Sequence, residues 1–211
     1  MNENVQKRNR ALAARIIKGL ESRNMRGYYA ETGAEARELA LRLIPEGSTV
    51  TAGGCTSATE IGLFDALKAG PYRYIDRNDF PPEEKEKATQ EHFFSDWFIA
   101  GANAMTENGM LVNIDGNANR VAAIAYGPKK VLFLVGMNKV CRDLDAAIKR
   151  ARTVAAPINA QRFMLGTPCN TLGTCADCLA EGTICCQMLV TRFSRVKDRI
   201  EVILVGEDLG F

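Results

Sequence analysis

The sequence predicts an α/β fold in three layers, a mostly parallel sheet with helices on both faces. Three observations predict it. Short apolar runs, 110–112 and 131–135 among them, are bounded by Gly, Asn and Asp, the pattern of buried strands. Such runs alternate with stretches of helical periodicity, which favours parallel strands covered on both sides. A chain of 211 residues, 46% hydrophobic and 25% charged, is long enough to bury one full core. Residues 1–211 are expected to form one domain with a cysteine-rich insertion at about 166–186, without repeats or linkers.

Taken in order, residues 3–24 carry Val5, Leu12, Ile16, Ile17 and Leu20 at near-helical spacing, and Gly27 ends the run before a strand at 28–30. Thr32 and Glu35 form a capping box for a helix that Pro45 and Gly47 stop, and a strand at 48–52 follows. Ser57 and Glu60 read as a second capping box, opening one helix that ends at Gly70 and Pro71. A strand at 72–76, an exposed charged helix after Pro81 and Pro82, and a strand at 97–100 lead to the stretch 101–138. Beyond it lie a helix at 143–154 that Pro157 interrupts, the cysteine-rich loop, strands at 188–191 and 200–205, and a polar tail at 206–211.

The net charge of +2 gives no reason to expect nucleic acid, and the basic residues Lys7, Arg8 and Arg10 share their helix with Glu3 and Glu21. No apolar run approaches the roughly 20 residues of a membrane span, and no signal peptide is evident, so a cytoplasmic protein without membrane insertion is expected. Seven cysteines are then conspicuous, since a reducing compartment disfavours disulfides and an odd number cannot pair completely within one chain.

Four segments carry candidate chemistry. Gly53 and Gly54 follow a strand and precede a helix, so this turn suits a phosphate or carboxylate, or is an ordinary capped strand–helix turn. It matches neither a dinucleotide nor an NTP fingerprint. Cys55 could gain thiolate character there, or serve as a small side chain. Glu107, Asn108 and Gly109 combine a carboxylate, usable as acid, base or nucleophile, with groups able to stabilise an oxyanion; the same tripeptide is a good turn. Asp115, Gly116 and Asn117 read first as a turn capping the next helix. Arg120 and Lys139 are the cations best placed to bind an acidic substrate. The one histidine, His92, lies in an aromatic segment and reads as a packed or solvated side chain, which excludes multi-histidine metal sites and disfavours a Ser-His-Asp triad. Finally, Cys169, Cys175, Cys178 and Cys185 have a spacing compatible with a four-thiolate site for zinc or an iron–sulfur cluster. A redox pair at Cys175 and Cys178 or a thiol-rich loop are the alternatives.

Together these segments resemble the lactate-utilisation (LUD) domain family, itself similar to ribose-5-phosphate isomerases, glucosamine-phosphate deaminases and CoA transferases. The resemblance runs over about 11–206. It rests on Gly53, Gly54, Thr56, Ser57, Glu60, Ile61 and Gly62, on Met105 to Val112 around Glu107, and on Asp115, Gly116, Asn117, Asn119 and Arg120. The segments 126–131 and 135–139 extend it. Position 55, a Cys here where many relatives carry Ser, departs from the pattern and argues against an essential thiol. The resemblance implies a pocket at the carboxyl ends of the strands, with Gly53, Gly54, Thr56, Ser57, Glu60, Gly109, Asp115, Asn117 and Arg120 binding a small anion, and with the 53–60 loop beside Glu107, Asn108 and Gly109. By analogy with CoA transferases Glu107 falls at a nucleophile position; the residues themselves leave Asn108, Arg120 and Lys139 as the chemical candidates beside it, with Asn108 and Lys139 taken as catalytic. It further implies a component of L-lactate utilisation, a redox or electron-transfer subunit working with iron–sulfur protein subunits. A transferase or isomerase acting on a phosphorylated or CoA-linked substrate over a structural metal, and a ligand-sensing module, are the competing expectations.

Overall fold

The structure, a computed structural model, describes residues 2–211. Helix α1 (Glu3–Glu21) starts at Asn2, whose side chain accepts the Asn4 N–H at 2.9 Å. Ala13, Ile16 and Leu20 form its buried stripe, beside strand β1 (Arg26–Ala30). Helix α2 (Gly33–Leu43) opens with the expected cap: Thr32 Oγ1 accepts the Glu35 N–H at 3.2 Å, while Glu35 reaches back to the N–H of Glu31 at 2.9 Å. Strand β2 (Thr49–Ala52) then enters α3 (Thr56–Glu60). The second capping box does not form, because Cys55 is the N-cap and Ser57 lies buried inside the helix. Nor is the helix single. Gly62 takes φ +68° and begins α4 (Leu63–Ala69) as a separate helix.

Strand β3 (Arg73–Ile75) and α5 (Lys85–Gln90) precede β4 (Trp97–Gly101), β5 (Ala104–Thr106), β6 (Leu111–Asp115), α6 (Asn119–Ala125), β7 (Lys130–Gly136) and β8 (Val140–Cys141). Helix α7 (Leu144–Arg150) continues through one π turn (Ala151–Ala155) into α8 (Ala156–Ala160), so Pro157 does not interrupt it. Proline has no N–H to donate and its ring presses on a carbonyl of a regular α-turn; the wider turn relieves both. Helix α9 (Pro168–Leu172), β9 (Gln187–Thr191) and β10 (Ile200–Val205) complete the chain.

Six parallel strands form the main sheet in the order β1-β10-β7-β4-β2-β3. Along β7, Val131, Phe133 and Val135 point into a core shared with α1 and α6, and Leu132 and Leu134 into one shared with α2, α3 and α4. This is the expected α/β architecture. A second sheet, β8-β5-β6-β9, lies on the α1 side with mixed pairing. Its Met105 and Leu111 join the first core, while Ala104, Val112 and Ile114 pack under α7 and α8. The runs at 110–112 and 188–191 thus belong to this sheet rather than to the parallel one. The tail is not simply polar either: Leu209 is buried and its N–H donates to Asn138 Oδ1 at 3.2 Å. Among the described residues no helix is long and apolar enough to cross a membrane.

Candidate functional site

A cavity of about 470 Å³ opens at the carboxyl ends of β2, β4 and β7. Parallel strands leave unpaired backbone at this end, and the loops leaving it supply the walls, as in other open α/β sheets. Here they bring Gly54, Thr56 and Ser57, then Gly101 to Asn103, Asp115 to Asn117, Arg120 and Lys139. Arg77 and Arg162 add charge at the rim, so four cations face two lining carboxylates, Asp115 and Glu181.

Arg120 is held in place from several sides. Asp115 caps α6 by accepting the N–H groups of Arg120 at 2.9 Å and Val121 at 3.1 Å, and it accepts from Asn117 N at 3.1 Å in the expected turn. The Arg120 guanidinium donates to Asn103 Oδ1 at 3.2 Å and to the Ile114 carbonyl, with Nε 3.8 Å from Asp115. Gly53 is required beneath it, since a Cβ there would stand 2.9 Å from Arg120 Cγ. Burial lowers the Arg120 pKa from its ordinary value, and Asp115 opposes that shift.

Lys139 sits on the 3₁₀ turn that follows β7 and is only 3% exposed. Its Nζ donates to Ser57 Oγ at 3.1 Å, a hydroxyl rather than a carboxylate. Burial pulls its pKa down to about 8, Cys55 partly restoring it. Cys55 is itself buried, and burial pushes its thiol up rather than toward thiolate. Glu60 faces the tail, accepting the Gly210 N–H at 2.7 Å, and does not line the cavity.

The expected approach of Glu107, Asn108 and Gly109 to the 53–60 loop is corrected by the structure. These three residues form the hairpin turn between β5 and β6, closed by Gly109 N to Thr106 O at 2.9 Å, and they do not line the cavity. Glu107 pairs with Arg15 of α1 at 2.9 Å, and the Asn108 carbonyl accepts from Arg23 at 2.7 Å. Gly109 has φ +89° and lies so close to Gly19 and Leu20 that a Cβ would fall 2.8 Å from Leu20 N. The second sheet causes this: its hairpin carries the tripeptide onto α1. His92 is packed, its ring 5.1 Å from that of Phe98, and burial lowers its pKa to about 4.

The family model of the LUD domain matches residues 13–205. The chain belongs to the LUD domain family. That family is associated with lactate utilisation in general. A DUF162 family protein from Deinococcus radiodurans has a similar crystal structure, with 11% sequence identity and a TM-score of 0.56 over 93% of this chain and 98% of that one, which shows the fold. An eIF2B beta structure from Chaetomium thermophilum is more distant, with 20% identity and a TM-score of 0.38 over 54% of this chain and 40% of that one. Comparison with curated proteins gives no match.

In this LUD domain the cysteine-rich segment builds a second cavity, of about 190 Å³, against the first. Cys169, Cys175, Cys178 and Cys185 all line it, and Ile114, Thr183 and Ile184 line both cavities. All seven cysteines are free thiols, so no disulfide joins Cys175 to Cys178. Cys186 turns elsewhere, donating to the Thr183 carbonyl at 3.5 Å. Among the described residues no three His, Cys, Asp or Glu side chains converge closely enough to hold one metal ion. Sequence reasoning missed Asn103 and Arg150. The first orients Arg120; the second donates to the Asn103 and Asn138 carbonyls at 2.6 and 3.2 Å, tying the loops after β4 and β7 together. Neither lies in a recognisable motif.

Proposed function

We propose that this LUD domain binds a small organic acid of the 2-hydroxy or 2-oxo carboxylate class, as the acid-binding component of a lactate-utilisation system. One observation carries the reading: Arg120 and Lys139, both withdrawn from solvent, face the same polar cavity. With Arg120 Nη2 committed to Asn103 and Ile114, its Nη1 group is what remains to meet a carboxylate, and an ammonium beside it suits the adjacent hydroxyl or carbonyl oxygen. With a pKa of about 8, Lys139 is mostly an ammonium at neutral pH, and its smaller free-amine fraction, which grows as pH rises, is the form able to take the proton of a 2-hydroxyl group. Oxidation of such an acid to its 2-oxo form gives up two protons and two electrons. The O–H and C2–H bonds break as the C=O forms: the hydroxyl proton goes to the free amine of Lys139, the C2 proton to water, and the two electrons to a redox partner, an iron–sulfur protein subunit, in the cytoplasm.

The cavity volume favours a second reading. About 470 Å³ exceeds what a three-carbon acid fills, and Arg77 and Arg162 at the rim would suit a phosphorylated or CoA-linked substrate. Calorimetric titration with L-lactate, pyruvate and ribose 5-phosphate separates the two. Carboxylate binding that weakens at least tenfold in Arg120→Lys supports the first, since lysine keeps the charge but loses the Nη1 donors that Asn103 and Ile114 hold in place through Nη2. Binding of the phosphorylated sugar alone supports the second, and no binding of any of the three sinks both.

A further inference from the structure

The cavity lined by Cys169, Cys175, Cys178 and Cys185 is not used by the reading above. Four sulfurs about 2.3 Å from one zinc ion must stand only about 3.8 Å apart in a tetrahedron. The thiols of this site share a cavity of about 190 Å³ and do not converge on a single-ion position. A multi-iron core bridged by sulfide takes four thiolates with room between them, and a cavity lined by all four supplies that room.

We infer that Cys169, Cys175, Cys178 and Cys185 hold an iron–sulfur cluster of the four-iron type, rather than a single metal ion. The surroundings fit its chemistry. Sulfur acceptors of such clusters take hydrogen bonds from nearby donors. Here the Asp177 N–H points at Cys175 Sγ at 3.5 Å, and the Thr167 hydroxyl lies 3.2 Å from Cys169 Sγ. Asp177 has φ +51°, which folds the Cys175–Cys178 segment so that both of its thiols face inward. Arg152 and Asp177 line the same cavity as an ion pair, so these two side chains add no net charge to it. Ala156, Pro157, Leu179 and Met188 supply apolar wall. Cys186 is outside the set. Because Ile114, Thr183 and Ile184 separate this cavity from the one at Arg120, the cluster would stand one side-chain layer from the proposed acid site.

The test uses the full chain, purified without oxygen and supplied with ferrous iron, sulfide and thiol. About four iron and four acid-labile sulfides per chain are expected, with a broad visible absorption that bleaches on dithionite and a paramagnetic signal in the reduced sample. Cys178→Ala should lose most of the iron, while Cys186→Ala should keep it. Circular dichroism on both variants establishes that each is folded, and if Cys178→Ala is not, Cys175→Ala takes its place. One zinc per chain, no bound metal, or iron retained by the folded Cys178→Ala and Cys175→Ala variants overturns the assignment. These readouts require no ligand in the acid cavity, so their failure and the failure of acid binding are separate results.

Discussion

Replacing Lys139 with Met removes a buried ammonium and keeps an unbranched apolar stem of similar length. Burial holds the Lys139 pKa at about 8 against an ordinary 10.5, which amounts to about 3 kcal/mol at about 1.4 kcal/mol per tenfold change in proton affinity. That penalty vanishes in Lys139→Met. The hydrogen bond to Ser57 is lost with it, at about 1 kcal/mol, and the hydroxyl stays buried. The net expectation at pH 7 is a protein more stable by about 2 kcal/mol, or a rise in Tm of about 4–8 °C for a domain of this size. The variant should at the same time lose carboxylate binding. A pH series sharpens the point. Since the folded-state pKa lies below the unfolded one, the unfolded chain binds the proton more tightly between about pH 8 and 10.5. Wild-type stability therefore rises with pH across that window, apart from other titrations, and the variant loses this component. Urea melts at pH 7 and 10, with titration of lactate and pyruvate, measure all three effects. A destabilised variant, an unchanged pH slope, or full acid affinity would refute the reasoning.

Glu107→Gln should leave acid affinity within twofold of wild type, because the carboxylate pairs with a largely exposed Arg15 outside the cavity; calorimetry checks this, and its stability effect should stay within about 1 kcal/mol. Gly109→Ala should destabilise by about 2–4 kcal/mol in a urea melt, since both the left-handed backbone and the Leu20 N–H resist a Cβ. Carboxylate affinity in the wild type should decline as pH rises through about 8, where Lys139 loses its proton, and titration at pH 7, 8 and 9 follows it. Lys139→Arg should carry affinity through that range without the decline if it folds, as a guanidinium stays charged.

Much of the fold was legible because the strands of the parallel sheet are apolar runs with clear punctuation, and β7 and β10 read directly from composition. The second sheet was not legible in the same way. Strands β5 and β8 span three and two residues, too short to show alternation, and β6 reads like any buried strand. That shortness explains the misplacement of Glu107: a carboxylate before a strand looks the same whether it sits at the mouth of a parallel sheet or on a hairpin. Asp115 and Arg120 were readable because their turn and cap are local in sequence. The Lys139–Ser57 contact joins residues 82 positions apart and could not be read. Pro157 misled for a different reason. A proline signals the loss of one α-turn, not whether the helix ends or widens.

Strand order has a consequence for how this chain comes off the ribosome. Strand β1 is made early, yet its hydrogen-bonded neighbour in the sheet is β10, far along the chain. Until Ile200 to Val205 emerge, β1 has no partner and the edge of β7 that β10 covers stays open. That edge carries Val131 to Val135, an uninterrupted apolar run able to pair with any passing strand. Asn9 of α1 likewise finds the Gly206 carbonyl only at the end, 197 residues later. Closure of the parallel sheet therefore waits on β10, and pairings this distant in sequence favour slow folding. A nascent chain stalled before β10 is the species most exposed to aggregation and most in need of a chaperone.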